Sequence, residues 1–340
     1  RPSVGLAVAG AGDGALSAEE LLKQADLAMY SAKRSRKITV QTFTPEMQSE
    51  AGVDDRLLGR LGEIPDGTDR SASPLLAELR QAIDQFELTL LYQPKFDLRT
   101  TRMVGVEALV RWPHPERGLL GPDEFLPLVR RHDLMGSITE LVISLALEDV
   151  LRFHRALPGL PVAVNVSAPL FADPRLPARI DRALTDRRLG ASTLSLEITE
   201  DLLFGNMEKT RAVLEELRAK GIRIAIDDFG SGYSTLSYLC ELPVDEVKLD
   251  RELVASITES ERVATVVRYV VDLAHELGLT VVAEGVEDAV TADRVAQLGC
   301  DVVQGFYFSP PVTPQELLRL LQAPGTTTAP ITDRPAPHLT

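Results

Sequence analysis

Short apolar runs alternate with amphipathic runs along residues 74–322 of the 340-residue chain. The apolar runs have the length of buried strands and occupy residues 88–93, 104–110, 162–166, 194–198, 222–226, 246–249, 279–283 and 302–306. Amphipathic runs such as residues 206–220 and 262–277 lie between most of them, and these two end at a glycine, as helices commonly do. Eight strands with intervening helices over about 250 residues predict a TIM-like (β/α)8 barrel of the α/β class rather than an open doubly wound sheet.

The segments on either side of this region have a different pattern. Residues 1–50 contain two short apolar runs and one amphipathic run opened by a capping box of Ser17 and Glu20, which is too little for an independent core. Residues 51–73 are interrupted by Gly, Pro and Ser and are predicted to be a linker. Residues 323–340 contain four Pro and five Thr without periodicity, so we expect a disordered tail.

The composition narrows the classes of protein to which the chain can belong. Apolar residues make up 44% and charged residues 25%, which is typical of a soluble globular protein. No run approaches the ~18 apolar residues of a membrane helix, so we expect no membrane contact within this fragment, although upstream segments of a longer protein could anchor it. Two cysteines without a CxxC pair predict a reducing, cytoplasmic location. A net charge of −14 argues against binding a nucleic acid polymer.

Polar residues stand at or near the ends of seven of the predicted strands, where apolar core residues are expected. They are Glu107, Asn165, Glu197, Asp227 with Asp228, Lys248, Glu284 and Gln304. Each alone has an ordinary interpretation, such as a helix cap, a turn or a surface lysine. In a barrel, however, the strand ends on one face line the active site, so these groups converge. Buried carboxylates are costly unless they are paired or bind a cation, and a single lysine among them predicts one or two divalent cations.

The types of side chain indicate which cation the site would hold. The five histidines are scattered without an HxxxH pair, so a zinc site is not expected, and oxygen ligands favour Mg²⁺ or Mn²⁺. One ion can take its oxygens from Glu107, Asn165, Glu197 and Asp227. Asp227 can bridge to a second ion that Asp228 also binds. Adjacent residues of a strand point to opposite faces, so Asp228 reaches the site only if the strand ends before it, as the following Phe-Gly-Ser-Gly sequence predicts.

An ordered set of motifs runs through residues 74–322. In chain order the motifs are Tyr92-Gln93-Pro94, Glu107-Ala108-Leu109-Val110-Arg111-Trp112, Asn165-Val166-Ser167, Glu197-Ile198-Thr199-Glu200, Asp227-Asp228-Phe229-Gly230, Lys248-Leu249-Asp250, Glu284-Gly285-Val286-Glu287 and Gln304-Gly305-Phe306. This set resembles the EAL-domain phosphodiesterases, which hydrolyse the bacterial second messenger cyclic di-GMP. Residues 1–47 resemble the C-terminal end of a GGDEF diguanylate cyclase domain, so residues 1–50 would be its remnant. The GGDEF signature itself is absent, and we expect no cyclase activity.

The resemblance implies that the chain cleaves one phosphodiester bond of cyclic di-GMP to give linear pGpG. It implies two Mg²⁺ or Mn²⁺ ions and inhibition by Ca²⁺. The implied metal ligands are Glu107, Asn165, Glu197, Asp227 and Asp228. Lys248 would orient the attacking water, and Glu284 would bind a metal-ligated water or receive its proton. The implied substrate contacts are Gln93, Arg111, Asp250 and Gln304.

The resemblance also implies two supporting residues and an assembly. Glu200 would anchor the loop after the fourth strand of the barrel. Glu287 would support the site from behind the metal ligands. Family members often dimerise through the barrel, so a homodimer through the EAL domain is a further expectation.

Two other functions stay open on the sequence alone. A receptor that binds cyclic di-GMP without hydrolysing it would keep the fold, but such relatives usually lack one or more metal ligands and this chain lacks none. An unrelated barrel lyase or isomerase that abstracts a proton next to a carboxylate would also place carboxylates at strand ends. It would not require Arg111 four residues after Glu107, followed by Asp-Asp-Phe-Gly and Glu-Gly-Val-Glu in this order.

Overall fold

The computed structural model describes residues 4–6, 40–42, 74–199, 207–230, 239 and 242–322. The chain consists of two compact units, Arg1–Ser71 and Ala72–Thr340. In the first unit two short strands pair in parallel, β1 (Val4–Leu6) and β2 (Val40–Thr42). The predicted helix at Ser17, the predicted linker at residues 51–73 and the predicted tail at residues 323–340 lie outside the described residues and stay predictions.

In the described part of the second unit, nine strands form one sheet that closes on itself. They are β3 (Thr89–Asp97), β4 (Met103–His114), β5 (Gly118–Leu120), β6 (Val162–Asn165), β7 (Leu194–Thr199), β8 (Arg223–Phe229), β9 (Glu246–Leu249), β10 (Thr280–Ala283) and β11 (Val302–Val303). The order is β3-β11-β10-β9-β8-β7-β6-β4, a further pairing of β3 with β4 closes the barrel, and the short β5 pairs with the end of β4. The predicted eight-stranded barrel is therefore confirmed.

The first barrel strand runs in the opposite direction to its neighbours. β3 pairs antiparallel with β4 and β11, whereas the pairs that lead from β4 through β6 to β11 are parallel. The cause is the connection at residues 98–102, which is a turn rather than a helix. A parallel connection needs about a dozen residues or more, so a turn of this length leaves only the antiparallel hairpin. The pattern of apolar runs did not reveal this departure from an all-parallel barrel.

Helices surround the barrel strands. They are α1 (Pro74–Asp84), α2 (Pro122–Arg131), α3 (Met135–Ala156), α4 (Leu176–Asp186), α5 (Met207–Ala219), α6 (Arg251–Ser256), α7 (Glu261–Glu276), α8 (Ala289–Gln297) and α9 (Pro314–Gln322). In α7 the Ser260 hydroxyl caps the first turn by accepting a hydrogen bond from the Val263 N–H, and the buried residues recur with helical spacing. No helix in the described ranges combines the length and the apolar character that a bilayer crossing requires.

The two faces of the barrel strands differ in polarity. On β7, Leu194, Leu196 and Ile198 are buried on the side that faces the helices. The residues between them, Ser195 and Glu197, are also buried but point to the opposite face, which is the barrel interior. The interior beneath the strand ends is therefore polar, unlike the branched apolar filling that is typical of this fold.

We expect the substitution Gly305→Ala to destabilise the barrel strongly. A Cβ at this position would overlap the backbone nitrogen and carbonyl oxygen of Val286, which cannot give way as a flexible side chain does. The free energy of unfolding should fall by about 3 kcal/mol, as measured by chemical denaturation. Gly190→Ala is the control, because a Cβ there meets only the Ser192 hydroxyl at 3.9 Å. Equal stability of the two variants would contradict the prediction.

Candidate active site

Each of the eight closed barrel strands contributes at least one polar side chain to a single cluster. The side chains lie on the strands or directly after them, and they are Gln93, Glu107, Asn165, Glu197, Asp227, Lys248, Glu284 and Gln304. The strand register brings Gln93 opposite Glu107 and Asn165 opposite Glu197. Residues as far apart in sequence as 93 and 304 are thereby brought to one place, as the polar strand ends predicted.

Lys248 lies at the centre of this cluster and is fully buried. Its Nζ is 2.7 Å from Glu284 Oε1, 2.8 Å from Asp227 Oδ1 and 3.0 Å from Glu197 Oε2. Glu107 Oε2 is farther away, at 3.6 Å. Burial would lower the pKa of Lys248, but the four carboxylates outweigh it and hold that pKa well above its ordinary value. The lysine is therefore a permanent cation among the carboxylates.

The carboxylates form two groups that could each hold a metal ion. The first group is Glu107, Glu197 and Asp227, and the second is Asp227, Asp228 and Glu284. Within each group one oxygen from every residue lies within 4.8 Å of the others. Asp227 belongs to both groups, which is the bridging position that the sequence predicted for it. Asn165 stands beside the first group, because its Nδ2 donates to Glu107 Oε1 at 2.8 Å and to Glu197 Oε2 at 3.3 Å.

The donor set of this cluster fits a hard divalent cation. Every candidate ligand atom is an oxygen. Two of the buried oxygens accept no hydrogen bond from a described residue, namely Asp227 Oδ1, which has only its ion pair with Lys248, and Gln304 Oε1. Five carboxylates share the two buried lysines in contact with the cluster, Lys95 and Lys248, so negative charge is in excess. These observations point to a cation as the missing partner.

An irregularity in β8 brings Asp228 to the cluster. The strand does not end before Asp228, as the sequence had suggested, but continues to Phe229, which pairs with Leu249. The register with β9 shifts between Ile226 and Phe229, and Asp228 adopts a positive φ of 54°. Aspartate tolerates this left-handed conformation better than most residues do. Two consecutive carboxylates can therefore serve one site although both belong to a strand.

The pKa values of the buried carboxylates are shifted in opposite directions. Burial raises the pKa of Glu107 to about 7, together with the negative charge of Glu197 and against the attraction of Lys248. Burial also disfavours the charge on Glu197, but Lys248 and Lys95 outweigh it and lower that pKa to about 2. Burial, with Asp227 and Glu107 nearby, raises the pKa of Glu284 well above its ordinary value despite Lys248. A carboxylate cluster with such opposed shifts is typical of functional sites.

Lys95 is a charged residue of the cluster for which the sequence predicted no role. It is buried in the barrel interior, with Nζ at 2.7 Å from Glu197 Oε1 and 3.0 Å from Glu246 Oε1. Burial would lower its pKa, but these carboxylates raise it above the ordinary value. Strand alternation could have found it, because Lys95 lies two residues after Gln93 and therefore on the same face of β3.

The predicted substrate contacts have different surroundings. Gln304 Nε2 donates to Glu107 Oε2 at 2.6 Å and to Gln93 Oε1 at 2.9 Å, so both glutamines belong to the cluster. Arg111 is half-buried, four residues beyond Glu107 on the same face of β4, and donates to the Val110 carbonyl. Asp250 Oδ1 caps α6 by accepting hydrogen bonds from the N–H groups of Glu252 and Leu253. Their roles toward substrate stay predictions.

Of the two supporting residues, Glu287 lies within the described residues. Glu200 lies outside the described residues. Glu287 is exposed, with Oε1 at 4.0 Å from Arg251 Nε, and lines the cavity above the carboxylates, so its supporting role stays a prediction.

A cavity of about 210 Å³ opens directly above the carboxylates. Its walls include five of the predicted residues other than Glu287, namely Gln93, Glu107, Asp227, Glu284 and Gln304. They also include Arg251 and Phe306, which the sequence did not single out. Phe306 was predicted as the last residue of a strand, but β11 ends at Val303 and the Phe306 ring is 60% exposed. An exposed ring and a guanidinium beside a carboxylate cluster suit a ligand that carries both a base and a phosphate.

Comparisons with known proteins agree with this geometry. The family model described as EAL domain matches residues 76–311. The cyclic di-GMP phosphodiesterase NbdA of Pseudomonas aeruginosa is 36% identical over 306 residues, which are 90% of this chain and 37% of that protein. The bifunctional diguanylate cyclase/cyclic di-GMP phosphodiesterase MucR of the same organism is 36% identical over 317 residues, which are 93% of this chain and 43% of that protein. The chain thus spans less than half the length of these relatives.

A solved structure agrees as well. The chain in the structure described as PaMucR phosphodiesterase, c-di-GMP complex, superimposes with a TM-score of 0.68 at 39% sequence identity. The match covers 72% of this chain and 100% of that one. Because the family model also extends over more than half of the chain, the protein belongs to the EAL domain family.

Proposed function

We propose that the barrel hydrolyses one phosphodiester bond of cyclic di-GMP and releases linear pGpG. The observation that carries the proposal is the cluster of oxygen ligands around the buried Lys248, which is brought together from five of the barrel strands. Two relatives that are described as cyclic di-GMP phosphodiesterases, NbdA and MucR, support the choice of substrate. The structure of the PaMucR phosphodiesterase in complex with c-di-GMP supports it further.

The residues of the cluster would hold two divalent cations, Mg²⁺ or Mn²⁺. Glu107, Glu197 and Asp227 would hold one, joined by Asn165 through its Oδ1, and Asp227 and Asp228 would hold the other. Bound divalent cations offset the negative charge that builds on the phosphate oxygens during an in-line displacement. At present the Nδ2 of Asn165 faces Glu107 and Glu197, so the amide would turn to present Oδ1 to the ion and would give up those two hydrogen bonds.

Lys248 and Glu284 would act on the attacking water. The carboxylates around Lys248 raise its pKa and so favour the ammonium, which can donate hydrogen bonds and orient the water toward phosphorus. Glu284 Oε1 is 2.7 Å from Lys248 Nζ, so its carboxylate would bind a metal-ligated water or receive the proton of that water.

The groups around the cavity would bind the rest of the nucleotide. Arg111 and Arg251 are placed to contact phosphate, and the exposed Phe306 ring offers a surface for a guanine base. Gln93 and Gln304 would supply polar contacts at the wall of the cavity. Asp250 uses Oδ1 to cap α6, so Oδ2 is the oxygen with which it could accept from a guanine N–H.

The alternative is a receptor that binds cyclic di-GMP without hydrolysing it. The complete ligand set argues for the enzyme, because a receptor has no need for a charged cluster that is so costly to bury. Analysis of the products after incubation with labelled cyclic di-GMP distinguishes the two. Linear pGpG supports the enzyme, and bound but unchanged nucleotide supports the receptor.

Hydrolysis is expected to require an added divalent cation. Excess EDTA should abolish turnover, and Mg²⁺ or Mn²⁺ should restore it, because the candidate ligands are all oxygens. Ca²⁺ should bind and inhibit, because its longer and looser coordination places the reacting groups poorly. Rates of pGpG formation with each ion test this. Full activity in EDTA, or equal rates with Ca²⁺ and Mg²⁺, would contradict it.

We also infer that residues 1–50 are the remnant of a GGDEF domain. The alignment with MucR, which is described as both a diguanylate cyclase and a phosphodiesterase, covers 93% of the chain and so extends beyond residues 76–311. The homodimer through the EAL domain and the cytoplasmic location stay predictions, the latter resting on the two unpaired cysteine positions in the sequence.

A further inference from the structure

Lys95 crosses the barrel interior to reach strands that are not its neighbours. It lies on β3, which pairs with β4 and β11. Its two partners, Glu197 and Glu246, lie on β7 and β9, which are separated from each other by β8. The space beneath the active site is thus filled by a charged group, where branched apolar side chains are typical of a barrel of this kind. Burying an ammonium group costs desolvation energy, which an apolar side chain of the same volume would not.

The contacts of Glu197 indicate what the buried Lys95 ammonium does. Its two carboxylate oxygens are held by two different lysines, Oε1 by Lys95 at 2.7 Å and Oε2 by Lys248 at 3.0 Å. Lys248 also contacts Asp227 and Glu107, so Oε2 is the oxygen on the side of the candidate metal ligands. Oε1 is occupied by Lys95 on the other side. Oε2 also accepts a hydrogen bond from Asn165 Nδ2 at 3.3 Å, so Oε2 is the oxygen that Glu197 would turn toward an ion while Lys95 holds Oε1.

We propose that Lys95 is a positioning residue that restricts Glu197 to a single metal-facing oxygen and thereby favours Mg²⁺ or Mn²⁺ over Ca²⁺. Mg²⁺ requires nearly regular octahedral coordination, to which a carboxylate contributes one oxygen. Ca²⁺ takes six to eight ligands and readily accepts both oxygens of a carboxylate. Glu246 completes the arrangement by holding the Lys95 ammonium from below at 3.0 Å. The inference rests on the proposed metal-dependent function of the same site.

A purely structural role for Lys95 makes a different prediction. If the lysine only neutralises two buried glutamates, its removal lowers stability and leaves the preference among ions unchanged. If it positions Glu197, its removal frees Oε1 and changes that preference. The ratio of Ca²⁺ to Mg²⁺ affinity therefore distinguishes the two roles, whereas stability alone does not.

The test titrates metal-free protein with Mg²⁺ and with Ca²⁺ by calorimetry, for the unaltered chain and three variants. Lys95→Met removes both charge and donor, and Lys95→Gln keeps an amide donor. Tyr92→Phe is the matched control, because it removes a buried hydrogen bond to Asp149 from the same strand, away from the cluster. In Lys95→Met the loss of a positive charge should act on the affinity for both ions alike, so the ratio of Ca²⁺ to Mg²⁺ affinity is the quantity that tests the role. Freeing Glu197 Oε1 should raise this ratio by about tenfold.

The remaining variants and the kinetics complete the comparison. Lys95→Gln should show a smaller shift of the ratio than Lys95→Met, and Tyr92→Phe should show none. At saturating Mg²⁺, Lys95→Met should lower kcat and leave KM for cyclic di-GMP nearly unchanged, because Lys95 touches no wall of the cavity. An unchanged ratio in a folded Lys95→Met overturns the positioning role. If that variant does not fold, an unchanged ratio in Lys95→Gln overturns it equally.

The outcome for the unaltered chain separates this inference from the proposed function. If it binds neither ion and hydrolyses nothing, the proposed function fails, and the positioning role fails with it. If it binds Mg²⁺ and produces pGpG while the Lys95 variants keep its ion preference, only the positioning role fails.

Discussion

Replacing Lys248 with alanine is expected to abolish hydrolysis while divalent cations stay bound. The substitution leaves every candidate metal ligand in place and removes one positive charge from among four carboxylates. Cation affinity should therefore equal or exceed that of the unaltered protein. Turnover should fall by about 100- to 1,000-fold, the usual effect of removing one oriented donor from a reaction centre. Calorimetric titration with Mg²⁺ and with cyclic di-GMP, beside measurement of pGpG formation, checks the prediction.

The same variant should make the metal-free protein much less stable. Four carboxylates lose a buried cation, and breaking such a pair by removing one partner typically costs about 3–5 kcal/mol. Mg²⁺ should restore more stability to Lys248→Ala than to the unaltered chain, because a ligand that binds the folded state stabilises it. Thermal unfolding with and without Mg²⁺ measures the difference. Near-native turnover of Lys248→Ala would refute its catalytic role.

The control for this prediction is Lys220→Ala. Lys220 is also a lysine near carboxylates, but it is partly exposed, and its Nζ is 3.7 Å from Asp181 Oδ2 and 4.0 Å from Glu216 Oε1. Pairs of this kind contribute about 1 kcal/mol at most. Lys220→Ala should therefore keep both its activity and its response to Mg²⁺.

The substitution Glu107→Gln is expected to remove metal binding and activity together. It keeps the volume of the side chain and removes the charge of a candidate ligand. The two oxygens of Glu107 accept hydrogen bonds from Asn165 Nδ2 at 2.8 Å and from Gln304 Nε2 at 2.6 Å. A glutamine at this position has only one oxygen to offer these two donors. One of these donors must lose its acceptor, at a cost of about 1–3 kcal/mol. Activity should fall by about 100-fold or more, in step with the loss of a metal ligand.

Glu78→Gln serves as the matched control for Glu107→Gln. Glu78 bonds His114 through Oε2 at 3.0 Å at a half-exposed position outside the cluster. The same chemical change there should leave metal affinity and turnover as they are. Calorimetry and product analysis on the two variants test the contrast. If Glu107→Gln keeps both its metal and its activity, the ligand set is wrong even though the family is right.

The fold was largely predictable, because its signals are local. Apolar runs of strand length mark all eight barrel strands. The amphipathic runs between most of them predict the helices. The direction of β3 was not predicted, because it depends on the turn at residues 98–102. The last strand was predicted too long, because Phe306 looks like a core residue until its exposure in the cavity is known.

The site was predictable in composition but not in arrangement. The polar residues at strand ends were found by their contrast with apolar neighbours, and a barrel has one face where strand ends meet. The way Asp228 reaches the cluster was not found, because an irregularity at positive φ inside β8 leaves no clear mark in the sequence. The contacts of Lys95 were not predicted either, because its partners Glu197 and Glu246 lie on distant strands of the barrel.

The sequence by itself determined the number and order of the strands, the family motifs and the kinds of atoms available to a cation. Each of these depends on residue types within short segments of the chain. Only the tertiary structure decided which oxygen meets which ammonium. Lys95 and Glu197 are 102 residues apart, and Gln304 and Glu107 are 197 apart, so no local pattern relates them. The distances between these residues follow from strand register and barrel closure. The same distances determine the pKa shifts of the carboxylates and place a lysine at each oxygen of Glu197.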